Sequence, residues 1–440
     1  MISDSQLPEL SRFKEVEATL PLRPDPTFAN CVVPLGNERL PVHRWFRFKE
    51  SFSADFTGTL LSLLRPALGR SLRLLDPFCG VGTALVASQE LAAAGYRIDA
   101  IGIELNPFIA FAAKTKVNWP HIRPDAIDEA VGVVFEDEAN HHPKLPGLSS
   151  FTRETCVSRH TATRLLAVRD AISTRVSVPV VRDALLLGLA ASLDALSKVR
   201  KDGRALRIVE KPRIPVREAL VSRWSAMSAD VRFMQGLLGV RPAPAVILGD
   251  GRNPLKSGIA PSSIDLILTS PPYPNTIDYT EVYKLELWLL GLVTTSAEFF
   301  RLRSSTFRSH PTTTPAQPAD EFGRAISRGR LRQIMSPLRE RTAKHKWRHR
   351  LVLGYFSDTW DALRAHFACL RRGGYAVYVV GNSLHGGKAA PYLIPTDLVL
   401  PLLAERVGFS IETARIARSL PRRLSGNHFL RDSVVVLRKP

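Results

Sequence analysis

The chain has 440 residues, 45% hydrophobic and 23% charged, the balance of a soluble globular protein with length for one elaborated domain or two. A formal net charge of +19 and an isoelectric point near 10.2 favour a polyanionic partner through counterion release, without choosing DNA or RNA. Cys31, Cys79, Cys156 and Cys369 are widely spaced, with no CxxC or Cys/His pattern, so no metal site or disulfide framework is expected and a reducing compartment is the simpler reading.

The polar first residues do not read as a signal peptide, and the apolar run from Ala184 to Leu193 is cut by Asp194 and too short for a bilayer. A cytoplasmic protein without a membrane partner is the expectation. Residues 1 to about 40 are Pro-rich and read as an irregular surface leader. An amphipathic helix is predicted over Phe52 to Leu68. The apolar strand Ser71–Leu75 then meets Asp76-Pro77-Phe78-Cys79-Gly80-Val81-Gly82-Thr83, and a helix-forming run, Ala84–Ser88, follows. In this strand–turn–helix order Gly80 and Gly82 permit close backbone approach, and Thr83 is placed to cap a helix whose positive end suits a carboxylate. Cys79 reads as a small packing residue.

The next strand, Asp99–Ile103, ends at Glu104, where doubly wound folds commonly hold ribose hydroxyls on an acid. Pro107 to Lys116 reads as a helix. The region from 121 to 244 has helical periodicity and is too long for an ordinary connection, so it is expected to be an insertion. The strand Ala245–Leu248 leads to Gly249-Asp250-Gly251-Arg252, where Asp250 is either an adenine ligand or an ordinary turn residue. The strand Ile264–Leu268 then runs into Thr269-Ser270-Pro271-Pro272-Tyr273. The paired prolines stop the strand and hold its carbonyls outward. Acceptors at Ser270 and Pro271 beside the Tyr273 ring suit a planar heterocyclic amine, with Pro272 supplying rigidity.

Beyond this loop Tyr279 to Leu292 reads as a helix, and residues 296 to 350 as a basic insertion with little acidic compensation. Further elements are a helix from Phe356 to Leu370, a strand from Gly374 to Asn382, a helix from Asp397 to Val407, and strands Phe409–Thr413 and Ser433–Leu437. The chain thus divides into a leader and helix (1–70), a cofactor-binding half (71–120), a helical insertion (121–244), a catalytic segment (245–295), a basic insertion (296–350) and a C-terminal half of the sheet (351–440). The alternation predicts an α/β, doubly wound, mostly parallel seven-stranded sheet with one late antiparallel strand.

DPFCGVGT together with TSPPY resembles the S-adenosylmethionine-dependent DNA amino-methyltransferases, which modify cytosine N4 or adenine N6. SPPYPNTIDYTEVYKLELWLLG and His43-Arg44-Trp45-Phe46-Arg47-Phe48-Lys49 are similar to further segments of that family. The resemblance implies a Rossmann-like methyltransferase sheet, S-adenosylmethionine as cofactor and DNA as partner; it leaves open whether a restriction endonuclease partner exists in the same system. It implies catalytic roles for Ser270, Pro271, Pro272 and Tyr273, on a base flipped from the duplex. Asp76, Phe78, Gly80, Gly82 and Thr83 are expected around the methionine portion, Glu104 on the ribose and Asp250 on the adenine. Trp45 and Phe48 either cover the cofactor or belong to the core; Asn382 is either a ligand contact or a turn amide.

Serine before Pro-Pro-Tyr resembles the cytosine-N4 enzymes, so that base is favoured over adenine N6. Two basic segments are candidates for phosphate contact: Lys198, Arg200, Lys201 and Arg204 in the helical insertion, and Arg328, Arg330, Arg332 and Arg348 in the basic one. Either can be the target-recognition part. The rival readings are an RNA base methyltransferase and a catalytically silent nucleic-acid-binding subunit.

Overall fold

The computed structural model describes residues 6–145, 156–202, 205–239, 241–274, 277–310, 320–343, 345–386, 390–420 and 429–440. Helix α1 (Leu10–Glu17) and the short strand β1 (Leu22–Pro24) come first, then α2 (Asp55–Leu68), β2 (Ser71–Asp76), α3 (Thr83–Glu90), β3 (Arg97–Glu104) and α4 (Pro107–Val117). The helical insertion holds α5 (Pro124–Asp137), α6 (Arg159–Arg175), α7 (Pro179–Leu196), a hairpin of β4 (Val199–Asp202) and β5 (Ala205–Ile208), and α8 (Val216–Leu238). The sheet resumes with β6 (Ala245–Leu248) and β7 (Ile264–Thr269). Helices α9 (Tyr279–Val282), α10 (Lys284–Leu289), α11 (Ser296–Ser305), α12 (Asp320–Ile326), α13 (Gly329–Ala343) and α14 (Lys346–Cys369) follow. Strands β8 (Leu370–Gly381), β9 (Ser383–His385) and β10 (Tyr392–Ile394), helix α15 (Thr396–Val407), and strands β11 (Ser410–Ser419) and β12 (Arg431–Arg438) complete it.

The main sheet runs β1-β11-β12-β8-β7-β2-β3-β6. β12 is antiparallel to both its neighbours, and the other pairings are parallel. The α/β, doubly wound and mostly parallel reading is therefore correct, and the strand count becomes eight. The extra strand comes from the leader, which is not irregular. Leu7, Leu10, Phe13 and Val16 are buried at helical spacing, and β1 pairs with β11 beyond them.

Both faces of the sheet are covered, so its strands read as continuous apolar runs whose alternate side chains enter different cores. Leu74, Leu266, Leu268, Val377 and Val379 join the core beneath α2, α3, α4 and the helical insertion. Leu75, Ile267, Ala376, Tyr378 and Val380 join the core beneath α1, α13, α14 and α15. The predicted helix from Tyr279 to Leu292 is two short helices, and α14 begins at Lys346 rather than Phe356.

Arginines of the basic stretch are compensated from elsewhere in the chain: Arg330 pairs with Glu405, Arg341 with Glu9, and Arg308 with Asp358 on α14. A window of sequence does not show those partners. Because α1 closes one core, Phe13→Ala is expected to lower the unfolding free energy by about 3–5 kcal/mol. Urea denaturation checks this, and a change under about 0.5 kcal/mol would mean the leader helix is dispensable.

Candidate active site

Parallel neighbours β2 and β7 end at the same rim, with Leu74 opposite Leu266 and Leu75 opposite Ile267. The glycine loop and the Ser-Pro-Pro-Tyr loop are thereby brought to one place. Phe78, Gly80, Glu104, Asp250, Ser270, Pro271, Pro272 and Tyr273 all line one cavity of about 1230 Å³. A buried bond joins the bases of the two loops: the Thr269 hydroxyl donates to Asp76 Oδ1 at 2.8 Å. The same oxygen accepts from the Phe78 N–H at 3.2 Å. Asp76 thus braces the loops and does not line the cavity; burial pushes its carboxyl up to about 7.

Gly82, not Thr83, is the N-cap of α3, at φ 78°. That left-handed backbone needs a glycine, and a Cβ there would stand 3.3 Å from Ala113. Thr83 sits one residue into the helix, its hydroxyl 2.7 Å from that of Ser51. Gly82 and Thr83 therefore shape the loop from behind the cavity. Glu104 faces the cavity from the end of β3. Its Oε1 accepts from the Asn106 N–H at 2.8 Å and its Oε2 from the Gly80 N–H at 3.2 Å, while burial raises its carboxyl to about 7.

The third loop is locked by close packing. A Cβ on Gly251 would stand 1.7 Å from the Pro77 carbonyl oxygen, so only glycine lets this turn lie against the first loop. Asp250 lines the cavity with both carboxylate oxygens held by Arg252, whose Nε donates to Oδ1 at 3.0 Å and whose Nη2 donates to Oδ2 at 2.7 Å. Arg252 and Arg308 also converge on buried Asp358, which fixes Phe307 at the rim. The Phe78 ring meets Phe307 edge-on at 5.8 Å.

Tyr273 rests on the backbone of β8: a Cβ on Gly381 would come within 2.7 Å of Tyr273 Cε2 and 2.6 Å of Asp432 Oδ1. Burial pushes its phenol above its ordinary range, offset in part by a hydrogen bond with the Ser270 side chain. Antiparallel β12 carries Asp432 back to this rim, opposite Gly381 on one side and Arg418 on the other. Arg418 Nε donates to Asp432 Oδ2 at 2.6 Å, and both residues line the cavity. The Ser-Pro-Pro-Tyr loop is also gripped at its exit. Ser383 Oγ donates to the Pro274 carbonyl at 2.8 Å, with His385 Nε2 2.6 Å from the same oxygen.

Residues 42–53 form a strap beside the glycine loop. Lys116, buried beneath it, donates to the His43 carbonyl at 2.8 Å and the Phe46 carbonyl at 3.3 Å. Phe48, Glu50 and Ser51 reach the cavity, whereas Trp45 is core and donates through its indole N–H to buried Asp230 at 3.0 Å. Asn382 touches the cavity, but its amide is a turn brace, donating to Asp397 at 2.7 Å and to the Phe429 carbonyl at 2.8 Å. Sequence reading missed Glu50, Tyr279, Phe307, His385 and the Arg418–Asp432 pair. Glu50 directly follows the quoted leader motif; the pair carries no local signal, because strand register alone unites it.

Of the basic candidates, Lys198 and Arg200 are exposed on the hairpin, Arg328 and Arg332 on α12–α13 and its linker. Lys201 is held by Glu286 and lies over the rings of Phe46 and Tyr283. Arg330 is held by Glu405 at 2.6 Å. Arg348 stacks near Trp347 and Tyr392, and Arg204 lies outside the described residues. Among the described residues no group of His, Cys, Asp and Glu is arranged to hold a metal ion, and no helix is long and apolar enough to cross a membrane.

No protein-family model matches the chain. It is similar to Type II methyltransferase M.BsoBI of Geobacillus stearothermophilus, 23% identical over 454 residues, covering 92% of this chain and 87% of the relative. It is likewise similar to Type II methyltransferase M.AvaI of Anabaena variabilis, 26% identical over 486 residues, covering 100% of this chain and 95% of the relative. These likenesses agree with the S-adenosylmethionine-dependent DNA methyltransferase family that the motifs resemble. TrmN of Thermus thermophilus and the rRNA methyltransferase AviRa of Streptomyces viridochromogenes overlay with TM-scores of 0.27 and 0.30, at 13% and 12% identity. They cover 88% of this chain each, and 49% and 85% of their own. Overlaps of that size do not bear on function.

Methyltransferases of this fold use S-adenosylmethionine, and the cavity suits it. Glu104 offers an acceptor for hydroxyls, and Asn106 in the same wall has a side-chain N–H without a partner among the described residues. If ribose hydroxyls need the ionised Glu104, a carboxyl raised to about 7 must lose its proton on binding. Cofactor affinity is then expected to weaken about tenfold between about pH 8 and about pH 6. Glu104→Gln should bind weakly at both. Fluorescence titration across pH checks this; equal wild-type affinity at the two pH values would exclude Glu104 as a titrating ligand.

Proposed function

We propose that this chain, which aligns over nearly all its length with Type II methyltransferases, is a DNA methyltransferase that transfers the methyl group of S-adenosylmethionine to an exocyclic base amine, and that the amine is cytosine N4. The observation carrying this reading is the shared cavity: Phe78, Gly80 and Glu104 on one wall, Ser270 to Tyr273 on the other. When bound there, the cofactor supplies an electrophilic methyl on a sulfonium. The protein's task is alignment, because in-line displacement gains more from positioning than from strong acids or bases.

An exocyclic amine is a poor nucleophile while its lone pair is delocalised into the ring. The Ser270 hydroxyl and the Pro271 carbonyl accept its two N–H bonds and draw the nitrogen toward tetrahedral geometry. Tyr273, backed by Gly381 and tied to Ser270, gives the extruded base a fixed stacking surface. Phe78, Gly80 and Glu104 hold the cofactor, with Asp76, Gly82 and Thr83 bracing their loop from behind and Asp250 at the adenine end. The serine preceding Pro-Pro-Tyr supports cytosine over adenine.

The charge of +19 supports DNA as partner. Exposed Lys198, Arg200, Arg328 and Arg332 are the proposed outer contacts. A restriction endonuclease of the same specificity is the proposed companion. The helical insertion, docked on the strap beside the cavity, is the proposed target-recognition part.

Incubation with labelled donor and genomic DNA, followed by nucleoside mass spectrometry, is expected to show N4-methylcytosine. N6-methyladenine would overturn the choice of base alone, and no incorporation would overturn the reading. Tyr273→Ala is expected to lower kcat/KM by about 10–100-fold through lost stacking. Ser270→Ala should cost about tenfold through a lost hydrogen bond. Undiminished incorporation by both variants would sink the assignment. Gly381→Ala, which crowds Tyr273 and Asp432, should cost about 1–3 kcal/mol of stability and lower kcat more than it raises KM.

A further inference from the structure

A second cavity of about 330 Å³ lies behind the wall of the first, between the strap, α7, α8 and the β4–β5 hairpin. It shares Lys49 and Glu50 with the catalytic cavity. Its cations arrive from separate elements: Arg47 and Lys49 from the strap, Arg200 from the hairpin, Lys211 from the segment after it, and Arg223 from α8. Two further cations in its lining are already neutralised, Arg44 by Asp230 and Lys201 by Glu286.

The carboxylates in its wall are Glu50 and Asp194. Glu50 accepts the Tyr283 hydroxyl at 2.8 Å, and burial shifts it toward its neutral form. Arg223 is half-buried, yet makes no hydrogen bond or ion pair among the described residues. Lys211 donates to the main-chain carbonyls of Asp194 and Val199, not to a carboxylate. Burial pushes both groups down from their ordinary pKa values, and Asp194 offsets part of that shift. Five cations thus face one exposed carboxylate, Asp194, and a Glu50 shifted toward its neutral form, an excess of positive charge that favours the entry of an anion.

We infer that this cavity is a phosphate-binding site, with Arg223 as its central fork and Lys211, Arg200, Arg47 and Lys49 around it. A guanidinium matches tetrahedral phosphate with paired N–H donors. Resting on the methyltransferase reading, the position beside the catalytic cavity assigns the phosphate to the DNA backbone near the target nucleotide. A phosphate held there fixes that nucleotide's register while Tyr273 receives its base.

The full-length protein and Arg223→Gln are titrated with sheared genomic DNA over a salt series, and separately with inorganic phosphate by calorimetry. The expected result is a plot of log affinity against log salt that is shallower by about one unit in the variant, with phosphate binding weakened at least fivefold. Loss of phosphate binding with an unchanged DNA slope would keep the phosphate chemistry and overturn the backbone assignment. An unchanged slope together with unchanged phosphate binding, in a variant of wild-type melting temperature, would overturn the inference. Arg200→Gln, exposed at the rim, gives the same readout if Arg223→Gln does not fold. Methyl incorporation by the wild type is scored in parallel: its absence overturns the methyltransferase reading and leaves the phosphate measurements standing.

Discussion

The bond between the Thr269 hydroxyl and the Asp76 carboxyl, 2.8 Å long and wholly buried, is the constraint on which this molecule's chemistry depends. It joins residues 193 positions apart in the chain, at the points where two neighbouring parallel strands release their loops. A buried hydrogen bond to a carboxyl contributes about 1.5–3 kcal/mol, modest beside the burial of two apolar cores. Its effect is geometric: it fixes the spacing between the glycine loop and the Ser-Pro-Pro-Tyr loop. The raised pKa of Asp76 reflects the cost of placing a carboxyl there. The hydroxyl of Thr269 and the N–H of Phe78 offset that cost locally.

A second anchor works from the opposite side. Asp230 of α8 accepts from Arg44 Nε at 3.0 Å, from the Trp45 indole at 3.0 Å and from the Val42 N–H at 3.1 Å. This carboxylate sits in the helical insertion and its donors sit in the leader strap, so the insertion is bolted to the strap that covers the glycine loop. Lys116 secures the same strap from α4. The insertion therefore bears on the wall of the large cavity through Phe48, stacked on Tyr283, and Glu50.

The parallel core was legible because buried strands announce themselves as short apolar runs. Ala245–Leu248 matches the observed β6 residue for residue, and the strands before both loops differ from expectation only at their ends. The loops were legible because glycine and proline have few structural synonyms. What escaped depends on contacts between remote segments. Helix α1 had a readable period at Leu7, Leu10, Phe13 and Val16, but nearby prolines disguised it. Arg418 and Asp432 meet only through antiparallel register. The arginines of the basic stretch looked uncompensated because Glu9 and Glu405, which neutralise two of them, lie at opposite ends of the chain.

The position of β12 has a consequence for how the molecule assembles. It follows every other strand in the chain, yet it lies inside the sheet, wedged between β8 and β11. During synthesis, β8 must wait with an open edge, and β11 with β1 beside it cannot join the remainder until the wedge emerges from the ribosome. Since Asp432 rides on that wedge, the support beneath Tyr273 is finished only once β12 has paired with β8.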